Sequence, residues 1–161
     1  MKILLDTTYL LPTIGIAVKE LPRDAIVRAM KKGNRIIISQ ISLFELAAKG
    51  AKYVKNGILK PETVAKGIRA LLYNDEVETL PIEDTRLLLT AFALRNMLDD
   101  FIDCLILSTA INNCEALITE DTDISNLQNN VQFNELLKTS NSAFRVSTLS
   151  NILPDCKTST A

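Results

Sequence analysis

ALITEDTDISNL, residues 116–127, passes from a strand-forming apolar run straight into a knot of carboxylates, Glu120, Asp121 and Asp123. The start of the chain repeats the pattern with a single acid: in KILLDTT, residues 2–8, the apolar run ends at Asp6. A third run, RIIIS at 35–39, is β-branched and apolar throughout. None of these runs alternates with polar residues, so each reads as a strand covered on both faces, the mark of a parallel sheet with crossover helices. The segments between them have helical spacing. Residues 24–32 stop at Gly33-Asn34, and Ser42 opens a helix through LFELAAKGAKYVK to Asn56-Gly57. Pro61 suits the first turn of ETVAKGIRALLYN. VETL (77–80) is a weaker strand, and residues 83–98 form a strongly apolar helix. Asp99 or Asp100 caps FIDCLILSTAINN, and FRVST (144–148) suits a last strand. The fold class is therefore α/β, a three-layer α/β/α sandwich around a mainly parallel sheet. Residues 1–150 read as one domain, and 151–161 as a polar tail expected to be loose.

Composition narrows the chemistry. With 161 residues and 47% hydrophobic content the chain is long enough to bury a core without staples. No apolar run approaches the roughly 18 residues that span a bilayer, and no signal peptide is visible, so a cytoplasmic location is expected. Cys104, Cys114 and Cys156 lack zinc-type spacing, and a thiol in an apolar helix such as Cys104 ordinarily just packs. Histidine is absent. That excludes a Ser-His-Asp triad, a Cys-His nucleophile and the usual zinc or iron ligand sets. An enzyme built from this chain must work with carboxylates, hydroxyls, amides, Lys and Arg. Charge is also polarised: residues 1–70 carry 13 Lys/Arg against 5 Asp/Glu, and residues 71–161 carry 5 against 14. Within 49–69, Lys49, Lys52, Lys55, Lys60, Lys66 and Arg69 face Glu62 alone, a surface able to hold phosphates or simply a solvated helix face.

Open α/β sheets keep ligands outside the carboxyl ends of their strands, where strand order reverses. Asp6 follows the first strand and Asp121 and Asp123 follow ALIT, so both clusters fall at that edge. Asp6 has a second reading as a helix cap, since DTT is good capping sequence. Glu45 has one too: in SLFE, Ser42 and Glu45 spell a capping box, although the helix still starts at the same edge. Asp103 lacks such an alternative. Its neighbours along the helix are Ile106, Leu107 and Ala110, a core-type face, and a lone carboxylate there costs several kcal/mol unless something compensates it. If these acids converge, repulsion between two of them about 5 Å apart is roughly 3 kcal/mol at an effective dielectric near 20. Oxygen donors without His or thiolate suit magnesium or manganese.

Three segments then carry a family likeness. ILLDTTYLL, ISLFELAAKG and DDFIDCLILSTAINNCEALITEDTDISNL together resemble, in order and spacing, the PIN (PilT N-terminus) domain family of metal-dependent ribonucleases, which includes the VapC-type toxins. The resemblance covers most of residues 1–148. Carried over by position, Asp6, Glu45, Asp103 and Asp121 match the family's acidic quartet, Asp123 a secondary acid, and Thr119 a hydroxyl bonding within the site. The resemblance implies Asp6 and Asp103 as the direct ligands of Mg2+ or Mn2+, with Glu45, Asp121 and Asp123 completing the site. It also implies hydrolysis of RNA to a 5′-phosphate and a 3′-hydroxyl, a homodimer for which residues 83–98 offer an apolar surface, and an antitoxin protein as a candidate partner. Lys49, Lys52 and Lys55 would hold the RNA backbone. Tyr9 and Tyr53 are the nearest stacking candidates, though core packing is the plainer account of either.

Three rivals stand beside this. A haloacid-dehalogenase-like phosphatase would use a strand-end Asp such as Asp6, but wants a second acid at position 8, which is Thr8. A catalytically inactive PIN-like module binding RNA or protein would have no use for a buried Asp103. A purely structural domain explains Glu45 and Asp6 as caps and leaves Asp103 unexplained.

Overall fold

The computed structural model describes residues 1–19 and 21–153. Five parallel strands form one sheet: β1 (Lys2–Leu5), β2 (Arg35–Ser39), β3 (Val77–Leu80), β4 (Ala116–Ile118) and β5 (Arg145–Ser147). Their spatial order is β3-β2-β1-β4-β5. The chain builds outward from β1 to β3, then returns to the far side of β1 to lay down β4 and β5. The reversal therefore falls between β1 and β4, which pair in register from Ile3–Ala116 to Leu5–Ile118.

Alternate residues of each strand enter different cores, and both cores are apolar. Ile3, Leu5, Ile36, Ile38, Ala116 and Ile118 face one helical layer, which includes α1 (Ala25–Lys31), α2 (Gln40–Lys55) and α3 (Pro61–Leu72). Leu4, Ile37 and Leu117 face the other, made by α4 (Thr85–Leu94), α5 (Phe101–Asn113), α6 (Thr122–Asn126) and α7 (Val131–Ser140). This is why the strands read as continuous apolar runs: period-two alternation is present, but both phases are buried.

Between β1 and α1 the chain forms a 3-10 helix, Thr7–Ile14, that sequence periodicity does not announce. It is held from outside. Gly67 of α3 lies so close to it that an added Cβ would stand 2.2 Å from the Thr13 carbonyl oxygen. Helix α5 is likewise more deeply set than expected: every residue from Cys104 to Ile111 is buried, so it has no separate solvent face over those two turns. Asp103 sits just before this stretch, half-buried. At the end of the described chain, α8 (Leu149–Ile152) takes up Asn151 and Ile152, and Leu149 and Leu153 pack into the first core. The rest of the expected tail, with Cys156, lies outside the described residues.

Candidate metal centre at the carboxyl edge

Asp6 leaves β1 at the strand-order reversal and is tied down on all sides. Its backbone N–H donates to the Ile118 carbonyl (3.0 Å), continuing the β1–β4 ladder by one step. Its Oδ1 accepts from the Thr7 amide (2.6 Å), so it does cap the 3-10 helix. Its Oδ2 accepts from the Thr119 hydroxyl (2.7 Å), which in turn accepts from the Asp121 amide (3.0 Å). Burial still raises the Asp6 carboxyl above the usual carboxylate range; the Thr119 and Thr7 bonds oppose that, the Glu45 charge adds to it and the Lys49 charge reduces it. The helix-cap reading of Asp6 is thus met.

Asp103 is placed differently. It stands in the first turn of α5, whose cap is Asp100, bonded to the Ile102 amide (2.7 Å). Burial pushes its carboxyl up to about 7, helped by the negative charges of Asp100, Asp6, Asp121 and Glu45. Charges from four separate segments of the chain thus bear on Asp103. The neighbouring Cys104 thiol is pushed up to about 11, chiefly by burial.

The expected capping box at Ser42 and Glu45 is not formed. Helix α2 begins earlier, at Gln40, and Ser39 is its cap through a bond to the Ile41 amide. Ser42 is fully buried, and its hydroxyl has no hydrogen-bond partner among the described residues. Glu45 is freed from the helix end. Its Oε2 accepts from the Thr7 hydroxyl (2.5 Å) and its Oε1 pairs with Lys49 Nζ (2.8 Å). Lys49, expected beside Lys52 and Lys55 on an RNA-facing surface, is therefore engaged within the acid cluster. Lys52 and Lys55 are exposed and make no ion pair among the described residues.

The knot after β4 resolves into three separate tasks. Glu120 turns away and accepts from the Tyr9 hydroxyl (2.5 Å), which also accepts from the Leu149 amide (3.1 Å). Tyr9 is thus buried structure, as its plainer reading had it, and not a platform for bases. Burial and the bond to Glu120 raise its hydroxyl well above the ordinary tyrosine value. Asp121 caps α6 through the Ile124 amide (2.9 Å) while contributing charge to Asp103. Asp123 lines an open groove of about 600 Å³ with Asp99, Asp100, Asp103, Asn126 and Asn130.

Sequence reasoning missed Thr7 as a partner of Glu45 and Asp100 as the strongest charge influence on Asp103. The first needs knowledge that residues 7 and 45 meet. The second was legible as a cap, and its electrostatic effect follows from that position.

The donor set tests well against a hard divalent cation. It is all oxygen, it carries excess negative charge, and that charge already strains Asp6 and Asp103 toward protonation. The side chains do not yet close on one point: among the described residues no group of three or more Asp, Glu, Cys or His is arranged to hold a metal ion as it stands.

A doubly wound parallel domain with paired acids at its switch point is the class of protein that the geometry defines. The PIN domain family model matches residues 3–130, and the chain belongs to the PIN domain family. A sequence search of curated proteins finds no match. Among solved structures, VapBC2 from Rickettsia felis, bound to a DNA fragment from its promoter, contains a chain of similar fold. The TM-score is 0.55 at 20% identity, covering 91% of this chain and 98% of that one.

Proposed function

We propose that the protein is a Mg2+- or Mn2+-dependent endoribonuclease that hydrolyses RNA phosphodiester bonds, the toxin of a toxin–antitoxin pair. The observation that carries this reading is the geometry at the β1–β4 reversal of a PIN domain, where Thr119 joins the Asp6 carboxylate to the Asp121 amide and Thr7 bonds Glu45. Asp6 and Asp103 would hold the ion directly, with Glu45, Asp121 and Asp123 acting on its bound waters. A divalent ion held there supplies an acidified water and offsets charge on the phosphate oxygens.

The chain's own residues do the rest. Thr119 and the Thr7 amide fix both oxygens of Asp6, so one ligand is presented in a single orientation. Thr7 and Lys49 do the same for Glu45. The acidic groove beside Asp103 repels a phosphate backbone, so the nucleic acid would enter from the side of α2, where Lys52 and Lys55 are exposed. Few aromatics stand ready to stack bases, and recognition would rest on the backbone.

The toxin–antitoxin assignment is supported by the fold shared with VapBC2 and by the acidic groove, whose charge suits a basic partner segment. A homodimer is proposed through α4 and the first residue of α5, where Leu89, Phe92 and Phe101 are exposed and the Phe92 and Phe101 rings stack at 5.9 Å. No helix among the described residues is long and apolar enough to cross a membrane, and a cytoplasmic site of action is proposed with the rest. The test is RNA cleavage by purified protein with Mn2+. Asp6→Asn and Asp103→Asn should each lose activity while keeping the fold, and unchanged cleavage in either would reject the assignment.

A further inference from the structure

Tyr9 is only 3% exposed, yet its hydroxyl joins three elements that are distant in sequence. The residue belongs to the 3-10 helix that Asp6 caps, three positions after that acid. Its hydroxyl donates to Glu120 Oε1 (2.5 Å), on the loop between β4 and α6, and accepts from the Leu149 amide (3.1 Å) at the start of α8. Glu120 itself stands on the surface, where water would serve its carboxylate equally well. The residues on either side of it belong to the acid cluster. Thr119 donates to Asp6 and accepts from the Asp121 amide, and Asp121 caps α6. The loop is also anchored from behind, since the Thr119 amide donates to the Ser147 carbonyl of β5 (2.9 Å). Both β5 and α8 lie beyond residue 130, where the PIN match ends, and still bear on this loop.

We propose that Tyr9 is a positioning residue for the proposed reaction: by holding Glu120 it fixes the Thr119–Asp121 loop, so that Thr119 meets Asp6 in one orientation. The inference rests on the nuclease reading above and deepens it. A buried hydroxyl needs an acceptor for its proton, and a main-chain carbonyl would serve a purely structural tyrosine. Here the acceptor is a side chain of the site loop. All three side chains of that loop are bonded, Thr119 to Asp6, Glu120 to Tyr9 and Asp121 to the Ile124 amide, which leaves the stretch little freedom. Releasing the middle bond leaves the outer two to hold the loop, and Thr119 then orders Asp6 without that support. Tyr9 thus acts on Asp6 through Glu120 and Thr119.

The test compares wild type, E120A, E120Q and Y9F in the full chain, each checked for fold by circular dichroism. E120A cuts the link from the surface and leaves the core intact, whereas E120Q keeps a carbonyl oxygen for the hydroxyl. Hydrogen exchange by NMR in metal-free buffer reads the loop directly. The Asp121 amide should lose protection in E120A and Y9F and keep it in E120Q. In Mn2+-dependent RNA cleavage, kcat should fall about tenfold in E120A and Y9F with KM little changed, and E120Q should stay near wild type. The double variant Y9F/E120A should be no worse than either single one, because both cut the same link. Unchanged Asp121 protection or unchanged kcat in E120A would overturn the positioning role. So would E120Q failing as E120A does, or additive losses in the double variant. Lost protection in E120A, in a protein that cleaves no RNA, would uphold the link and overturn the nuclease reading instead.

Discussion

Asp6 and Asp103 lie at the same edge of the sheet and face the same cluster, yet the fold treats them in opposite ways. Both oxygens of Asp6 are met by short hydrogen bonds from Thr7 and Thr119, and its amide extends the sheet. Asp103 is pushed up to about 7 by burial and by the charges of its neighbours, with Asp100 doing its capping for it. One acid is built into the structure, and the other is held there against electrostatic cost. The difference sets an acid with a structural task against one whose only neighbours of note are like charges, and the proposed cation would give the second its purpose.

The largest expected effect treats the two acids alike. Asp6→Asn and Asp103→Asn should each lower Mn2+-dependent RNA cleavage by at least about a hundredfold in a gel assay, as loss of a ligand should exceed loss of a residue behind one. Stability should then divide them. In metal-free buffer Asp6→Ala should lower stability by about 1–3 kcal/mol, because it leaves a buried amide and a buried hydroxyl without an acceptor. Asp103→Ala should raise the melting temperature, because it removes an uncompensated charge. Equal signs for the two variants would break the comparison.

Thr119→Val sharpens it from the Asp6 side. The valine keeps the shape but loses the bonds to Asp6 and the Asp121 amide, and chemical denaturation should show a loss of about 1–3 kcal/mol. A smaller effect follows from pH. The folded protein holds a proton on Asp103 that the unfolded chain has already released above about 4. Between about pH 4 and 7 the folded state therefore binds more protons, and the contribution of this group falls as pH rises through that window. Melting curves without metal should show this decline relative to Asp103→Asn, and saturating Mn2+ should suppress it. The smallest effect concerns the exposed lysines. Lys52→Glu with Lys55→Glu should flatten the salt dependence of RNA binding by a slope of roughly 1 to 2.

Much of the fold was legible because the decisive elements are locally self-consistent. The apolar runs at Ile3, Ile36 and Ala116 announced a sheet covered on both faces, and Asp100 and Pro61 marked their helix starts as observed. What was not legible depends on partners distant in sequence. The 3-10 helix after Asp6 is held by the close approach of Gly67, and α2 is capped by Ser39 and not opened by Ser42 because β2 runs into it without a loop. Helix α6 escaped because it is five residues long and buries only Ile124, whereas α7 carries Phe133, Leu136 and Leu137 at helical spacing, a signal that could have been read. The same limit applied at the site. The acid types and their edge of the sheet could be read, whereas the Thr7–Glu45 bond, the diversion of Glu120 to Tyr9 and the capture of Lys49 required three dimensions.

The most direct test of the central claim is diffraction at the manganese edge from crystals of the protein grown with Mn2+. The account predicts an anomalous peak within about 2.0–2.6 Å of a carboxylate oxygen of both Asp6 and Asp103, Asp103 having moved inward to meet it. A fully occupied ion elsewhere in the molecule, with Asp6 and Asp103 both unliganded, would contradict it.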